Sequence, residues 1–194
     1  MIPRAAAIGV ALLVTGCASL PPAVDAESWP ARRAGLQVLE QWSLTGRVAV
    51  AAGAEGFSGG LDWRQDGAHA QVEIRGPFGR LLMIAVDGEE LSVTDSHGAS
   101  MQGDAARELV ASELGTPLPV GELRYWLIGA PAPAAPYQET MGTDGRPAMI
   151  EQLGWRVRYV RYQAVGGTAM PARVEIEADG VRLRLAVADW TIVR

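Results

Sequence analysis

The chain has 194 residues, 17 of them basic and 22 acidic, for a formal net charge of −5, and 48% are hydrophobic. That balance speaks against a nucleic-acid binder, which needs a clustered positive face. A single cysteine rules out a disulfide within the chain, so an apolar core has to hold the fold unaided. Every basic residue is arginine.

Arg4 and the apolar run from Ala5 to Val14 have the form of a secretory signal. The run is too short for a bilayer core, which takes about 20 apolar residues. Small residues then lead into Cys17 in Val14-Thr15-Gly16-Cys17. The pattern resembles a bacterial lipobox, in which residues 1–16 are removed and Cys17 becomes the lipidated first residue. A plain signal peptide with an incidental cysteine is the competing reading, and a lone thiol in an oxidising compartment counts against it. Removal takes one of the 17 basic and none of the 22 acidic residues, leaving a formal net charge of −6. Residues 17–30, with Pro21, Pro22 and Pro30, read as a lipidated tether. Residues 31–194 are the size of one domain.

Leu36 and Leu39 suggest a short helix over residues 31–41, weakened by Gly35. From Trp42 the apolar period becomes two, with Trp42, Leu44, Val48 and Val50 on one face. Residues 53–60 read as a glycine-rich turn, after which Leu61 and Trp63 resume the alternation. Asp66-Gly67 signals a hairpin into Val72 and Ile74. Gly76-Pro77-Phe78-Gly79 is the next tight turn. An apolar strand from Leu81 to Val86 follows, then Asp87-Gly88, Leu91 and Val93. Helices are expected at 104–114, with Asp104 as its cap, and at 119–128, with Leu123, Trp126 and Leu127 on one face. Ala130 to Pro136 reads as a connector. Strand alternation returns in Trp155, Val157 and Tyr159, in Val174 and Ile176, and in Val181 to Val187, with Trp190 and Ile192 last.

About ten antiparallel strands with two or three short helices result, and so many twisted strands tend to curl. The expected fold is mainly β: a strongly curved antiparallel sheet forming an incomplete barrel around a hydrophobic cavity, covered by short helices.

Chemistry is sparse. Two histidines, His69 and His97, sit beside turns, and no metal-ligand spacing or phosphate loop is present. No G-x-S-x-G elbow occurs, and Ser58 lies in a glycine-rich segment. The residues point to binding rather than catalysis, with no cofactor or metal expected. Six tryptophans against two phenylalanines suit ordinary core packing and equally suit rigid walls around an apolar interior. By parity the expected lining is Trp42, Leu44, Val48, Leu61, Trp63, Val72, Ile74, Trp126, Trp155, Val157 and Tyr159. A register slip of one residue would invert any strand. Phe78 occupies a turn position that is normally polar. Two readings stay open: a ring folded back over the sheet, or an exposed apolar finger toward a membrane or acyl chain. Arg156, Arg158, Arg182 and Arg184 alternate outward as a solvated face or a contact for an acidic partner.

Taken together, Trp42 with Gly46-Arg47, Trp63-Arg64-Gln65, Gly76-Pro77-Phe78-Gly79, Leu118-Pro119-Val120, Tyr125-Trp126-Leu127-Ile128-Gly129, Gly154-Trp155, Met170-Pro171 and Asp189-Trp190 resemble the outer-membrane lipoprotein receptor family LolB. The resemblance covers nearly the whole mature chain. It implies a receptor that accepts triacylated lipoproteins from the periplasmic carrier LolA and inserts them into outer-membrane lipid. It implies an apolar tip on a protruding loop needed for insertion, falling on Phe78 between Pro77 and Gly79. It implies a lipid anchor at Cys17, facing the periplasm, and a monomer. In lipoproteins of this kind an aspartate after the lipidated cysteine causes inner-membrane retention, and Ala18 stands there instead. A lipocalin-like lipoprotein for another apolar ligand and a scaffold lipoprotein of the envelope are the other classes.

Overall fold

The computed structural model describes residues 28–77, 79–114 and 117–193. Helix α1 (Trp29–Gln37) precedes β1 (Gln41–Ala52), β2 (Glu55–Asp66), β3 (His69–Gly76), β4 (Gly79–Asp87), β5 (Glu90–Asp95) and β6 (Ser100–Gln102). Helices α2 (Gly103–Leu114) and α3 (Val120–Leu127) lead to β7 (Tyr137–Met141), β8 (Pro147–Gln152), β9 (Trp155–Val165), β10 (Thr168–Ala178) and β11 (Val181–Ile192). All eleven strands lie in one antiparallel sheet ordered β6-β5-β4-β3-β2-β1-β11-β10-β9-β8-β7. Consecutive strands pair except β6 and β7, which α2 and α3 separate and which form the two edges, and the first and last strands meet at the centre through Trp42↔Ile192 to Ala52↔Val181. The ladder ends at β6 and β7, so the barrel is incomplete, as expected.

Period-two burial sets the faces. Along β11 buried and exposed residues alternate from Val181 to Ala188, and β9 does the same from Trp155 to Val160. Tight turns carry the required backbone. Asp179-Gly180 and Leu153-Gly154 both have positive φ at the two central positions, the conformation that matches strand twist across a two-residue hairpin.

Three expectations need correction. Residues 53–60 are not a turn: the chain reverses within Gly53-Ala54, and Gly56, Gly59 and Gly60 lie inside β2. Their role is close approach. A Cβ on Gly59 would sit 2.3 Å from the Arg75 carbonyl oxygen, and one on Gly46 2.3 Å from that of Ala186. Strands pressed this close leave room for no side chain, and the register of β1 on β11 shifts at Gly46. Second, β7 and β8 are additional strands, in a segment with no clean alternation. Third, α1 begins at Trp29 and ends at Gln37, because Pro30 fits a first helical turn and Gln41 is already paired with Asp66. The helix expected at 119–128 is α3, with Pro119 and Ile128 as its flanking caps.

Most of the core is one cluster on the concave face, joining β1–β3 and β8–β11 to α1 and α3. A smaller cluster places Ala106, Leu109 and Val110 of α2 against Leu91 and Val93 of β5. Among the described residues no helix is long and apolar enough to cross a membrane.

The close contact at Gly46 gives a direct test. Gly46→Ala is expected to destabilise the domain by about 1–3 kcal/mol, the usual cost of overpacking. Thermal melting checks this, and an unchanged midpoint would show that β1 and β11 can move apart freely.

Candidate functional site

The concave face gathers the expected lining residues. Trp42, Leu44, Val48, Leu61, Trp63, Val72, Ile74, Trp126, Trp155, Val157 and Tyr159 are all buried and belong to one cluster. On the strands they meet across the ladder: Leu44 faces Trp63, Trp63 faces Val72, and Leu61 faces Ile74. Two aromatic groups form within the cluster. Trp42 stacks on Trp63 at 6.0 Å between centroids and tilts against Trp190 at 5.4 Å. Trp126 meets Trp155 at 6.4 Å.

Helix α3 occupies this interior. Trp126, Leu127 and Ile128 are 0–1% exposed, so the helix end is wholly enclosed. Near one end of the barrel Arg124 donates to the Gly67 carbonyl oxygen in the β2–β3 turn. The other end is fastened by Gln152 of β8. Its Oε1 accepts from Trp126 Nε1 and from the Ala132 amide, both at 2.8 Å. Its Nε2 donates to the carbonyl oxygens of Ala132 and Ala135 at 2.8 and 2.9 Å. Both acceptor sites and both donors of the amide are therefore used. Tyr159 of β9 adds a 2.9 Å hydrogen bond to the Trp126 carbonyl oxygen. Alternation of apolar residues carries no signal for Gln152 or Arg124, and sequence reasoning missed both.

Helix α1 closes the adjoining gap. Trp29 donates to Glu139 at 2.9 Å, Arg33 to the Tyr137 hydroxyl, and Arg32 to the Ala169 carbonyl oxygen, tying β7 to β10. Gln37 reaches the Pro131 carbonyl oxygen at 2.9 Å. An open groove of ≈ 840 Å³ lies at the barrel end, between the β8–β9 and β10–β11 turns, and reaches Trp155.

The β3–β4 turn stands at the edge of this scaffold. Pairing runs up to Gly76↔Gly79. Pro77 and Gly79 are exposed, as are Arg80 and Leu81 beside them. Phe78 and Cys17 lie outside the described residues. Among the described residues no group of three or more potential ligands gathers to hold a metal. The four outward arginines are each ion-paired: Arg156 with Glu151, Arg182 with Glu177, and both Arg158 and Arg184 with Glu175.

Two measurements probe the fastening of α3. Gln152→Leu leaves three buried polar groups and the half-buried Ala135 carbonyl oxygen without this partner and should cost ~3 kcal/mol or more. It should also increase binding of an environment-sensitive hydrophobic dye; an unaltered melt with unaltered dye binding would remove Gln152 from this role. Burial pushes the Tyr159 hydroxyl well above its ordinary 10.0, and burial raises Tyr162 too. A raised folded value means that the unfolded chain ionises first, so this stability is intact below about pH 10 and is lost as the pH rises toward the folded value. Urea unfolding across that alkaline range should show a falling stability whose slope is shallower in Tyr159→Phe.

Comparison with known proteins agrees with this architecture. The family model "Outer membrane lipoprotein LolB" matches residues 40–190. The outer-membrane lipoprotein LolB of Nitrosococcus oceani is 32% identical over 187 residues, 93% of either chain. That of Halorhodospira halophila is 34% identical over 185 residues, 93% of this chain and 91% of its own. Among solved structures, a LolA superfamily protein from Nitrosomonas europaea superposes with a TM-score of 0.51 at 15% identity, covering 87% of this chain and 95% of its own. A DUF1329 family protein from Desulfovibrio piger does so with a TM-score of 0.53 at 8% identity over 84% and 89%. The structural likenesses concern the fold alone, whereas the family match and the two close relatives show that this chain belongs to the LolB family of outer-membrane lipoproteins.

Proposed function

We propose that the protein is an outer-membrane lipoprotein receptor. It accepts acylated lipoproteins from a periplasmic carrier of the LolA type, shelters their acyl chains against the concave face, and releases them into the outer membrane. The observation that carries this reading is the continuous apolar interior of an unclosed sheet, covered by a helix rather than by a second sheet. In this reading the ten strand side chains among those named above are the acyl-binding surface, and α3, with Trp126, occupies that surface until cargo arrives.

The physical need is plain. Each methylene kept from water is worth about 0.8 kcal/mol, so one long chain is worth on the order of 10 kcal/mol. Burial of this size holds an acyl chain without covalent chemistry, and transfer requires only that affinity rise from carrier to receptor to bilayer. The protein acts as a monomer, needs no metal or nucleotide, and is held to the outer membrane on its periplasmic side by acylated Cys17. The tether of residues 17–30 joins that anchor to the domain, and Phe78, between Pro77 and Gly79, enters the bilayer.

Transfer of a labelled lipoprotein from purified carrier to this protein, and onward to liposomes, tests the reading. Phe78→Glu should leave the first step intact and reduce the second to background, while Phe78→Leu should insert at nearly the native rate. Normal insertion by Phe78→Glu would remove the loop from the mechanism, and failure of the native protein to accept cargo would remove the function.

A further inference from the structure

The outer, convex face carries a second feature with no part in acyl binding. One rung of the sheet runs Arg161, Arg173, Ala186, Arg47, Gly60, Arg75, Arg80, each the direct cross-strand partner of the next. It crosses seven strands, from β9 to β4. Alternation places Arg173, Ala186, Arg47, Gly60 and Arg75 on the outward face. Arg161 and Arg80 have the opposite parity, and bulges at Val160 and Leu81 bring these two exposed residues into the row. The two without charge, Ala186 and Gly60, are small. They floor a depression of ≈ 570 Å³ framed by Arg47 and Arg75, with Thr45, Ala188 and one carboxylate, Asp62, also on its wall. At a strand spacing of about 4.8 Å, Arg47 stands roughly 10 Å from both Arg173 and Arg75.

The charge on this rung is not cancelled locally. Arg47, Arg161 and Arg173 form no ion pair with a described carboxylate. Arg80 lies in the field of Glu73 without bonding to it. Arg75 is the exception, held at 2.8 Å by Asp62 and at 3.1 Å by Glu73. One rung away, in contrast, Arg158 and Arg184 share Glu175. A chain with a net charge of −5 thus concentrates unpaired positive charge on a single line.

The position of that line identifies the occupant. Arg75 and Arg80 pair across the base of the β3–β4 turn and flank residues 76–79. If the tip of this turn enters the acyl layer, Arg80 follows two residues behind it, about 7 Å along the strand. Its long side chain then reaches the phosphate level, where arginine makes paired hydrogen bonds. An acidic protein would need no such continuity with the loop. We propose that Arg47 and Arg80, with Arg173 and Arg161 extending the row, bind the phosphate groups of anionic membrane phospholipids, whose charge no headgroup cation offsets, at the small-residue depression beside the β3–β4 turn. This rests on the reading of that turn as the membrane-entering segment.

Native mass spectrometry of the full acylated protein released from non-ionic detergent provides the test, with phosphatidylglycerol and phosphatidylcholine of matched tails as probes. The apolar interior treats the two alike, so a difference reports the headgroup. The native protein should retain phosphatidylglycerol about fivefold better, the scale that two exposed ion pairs supply. Arg47→Glu with Arg80→Glu should abolish the difference without lowering the melting temperature, and the corresponding lysine pair should keep most of it. Equal retention by the native protein, or a difference that survives the glutamate pair, overturns the site. Complete displacement by inorganic phosphate would assign the row to soluble anions. A preference for a glutamate-rich peptide in place of the lipid would assign it to a protein partner, and either result also overturns the proposal. Phe78→Glu run beside them keeps the two readings apart: a lost preference in the arginine variants with normal insertion bears on the row, and blocked insertion with intact preference bears on the loop alone.

Discussion

An antiparallel sheet curled this far and left open has a concave apolar face with no second sheet to cover it. Here α3 covers it, and the cost of putting a helix end inside the barrel governs much of the local sequence. Buried backbone groups must find partners. The Trp126 carbonyl oxygen accepts from Tyr159 and from the Gly129 amide, and the Ala130 amide returns to Tyr125. The connector that follows contains Pro131, Pro133 and Pro136, which have no N–H to satisfy. Gln152 meets what remains, so a single side chain from β8 answers for both the Trp126 indole and the Ala132 backbone. The polar fastening falls on the C-terminal half of α3, at Arg124 and Trp126, while Leu123 and Leu127 join the core through apolar contact.

The inner face of the strands was legible because period two is a local property. Parity in Trp42, Leu44 and Val48, or in Trp155, Val157 and Tyr159, assigns each to the interior without knowledge of its neighbours, and all of them are buried there. Where side chains vanish, so does the signal. Gly56, Gly59 and Gly60 look like a turn because glycine carries no parity, yet they are strand positions chosen for backbone approach. The segment of β7 and β8 fails for another reason: it forms the edge of the sheet and breaks at Met141↔Pro147, so its burial pattern is irregular. Gln152 and Arg124 were illegible because their partners are brought to them by tertiary structure alone.

The outer face shows the same limit more sharply. Arg47, Arg80, Arg161 and Arg173 are far apart in sequence, and each alone reads as a solvated strand residue. Only the register turns them into a row, through six pairings that depend on bulges near Gly46, Arg75 and Arg173. A bulge shifts the partner by one residue and reverses which face a position occupies. The irregularities in the ladder therefore decide where the charge falls. Polar sequence between apolar positions is a solubility requirement for any half-buried strand; the distribution of carboxylates among those positions is not, and it differs between the rung through Glu175 and the rung through Arg47.

On the proposed reading, these two faces meet in the energetics of exchange. An acyl chain entering the interior must take the place of Trp126, Leu127 and Ile128, whose burial is itself worth about 1.5–3 kcal/mol each. The helix thus subtracts from the roughly 10 kcal/mol a long chain gains, leaving a net affinity of a few kcal/mol. A bilayer has no such occupant to displace and keeps the larger share. A receptor lined with the same residues but lacking α3 would bind cargo more tightly and release it less readily. The covering helix is then what places this protein's affinity below that of the membrane it serves, and the direction of transfer follows from the packing of three side chains.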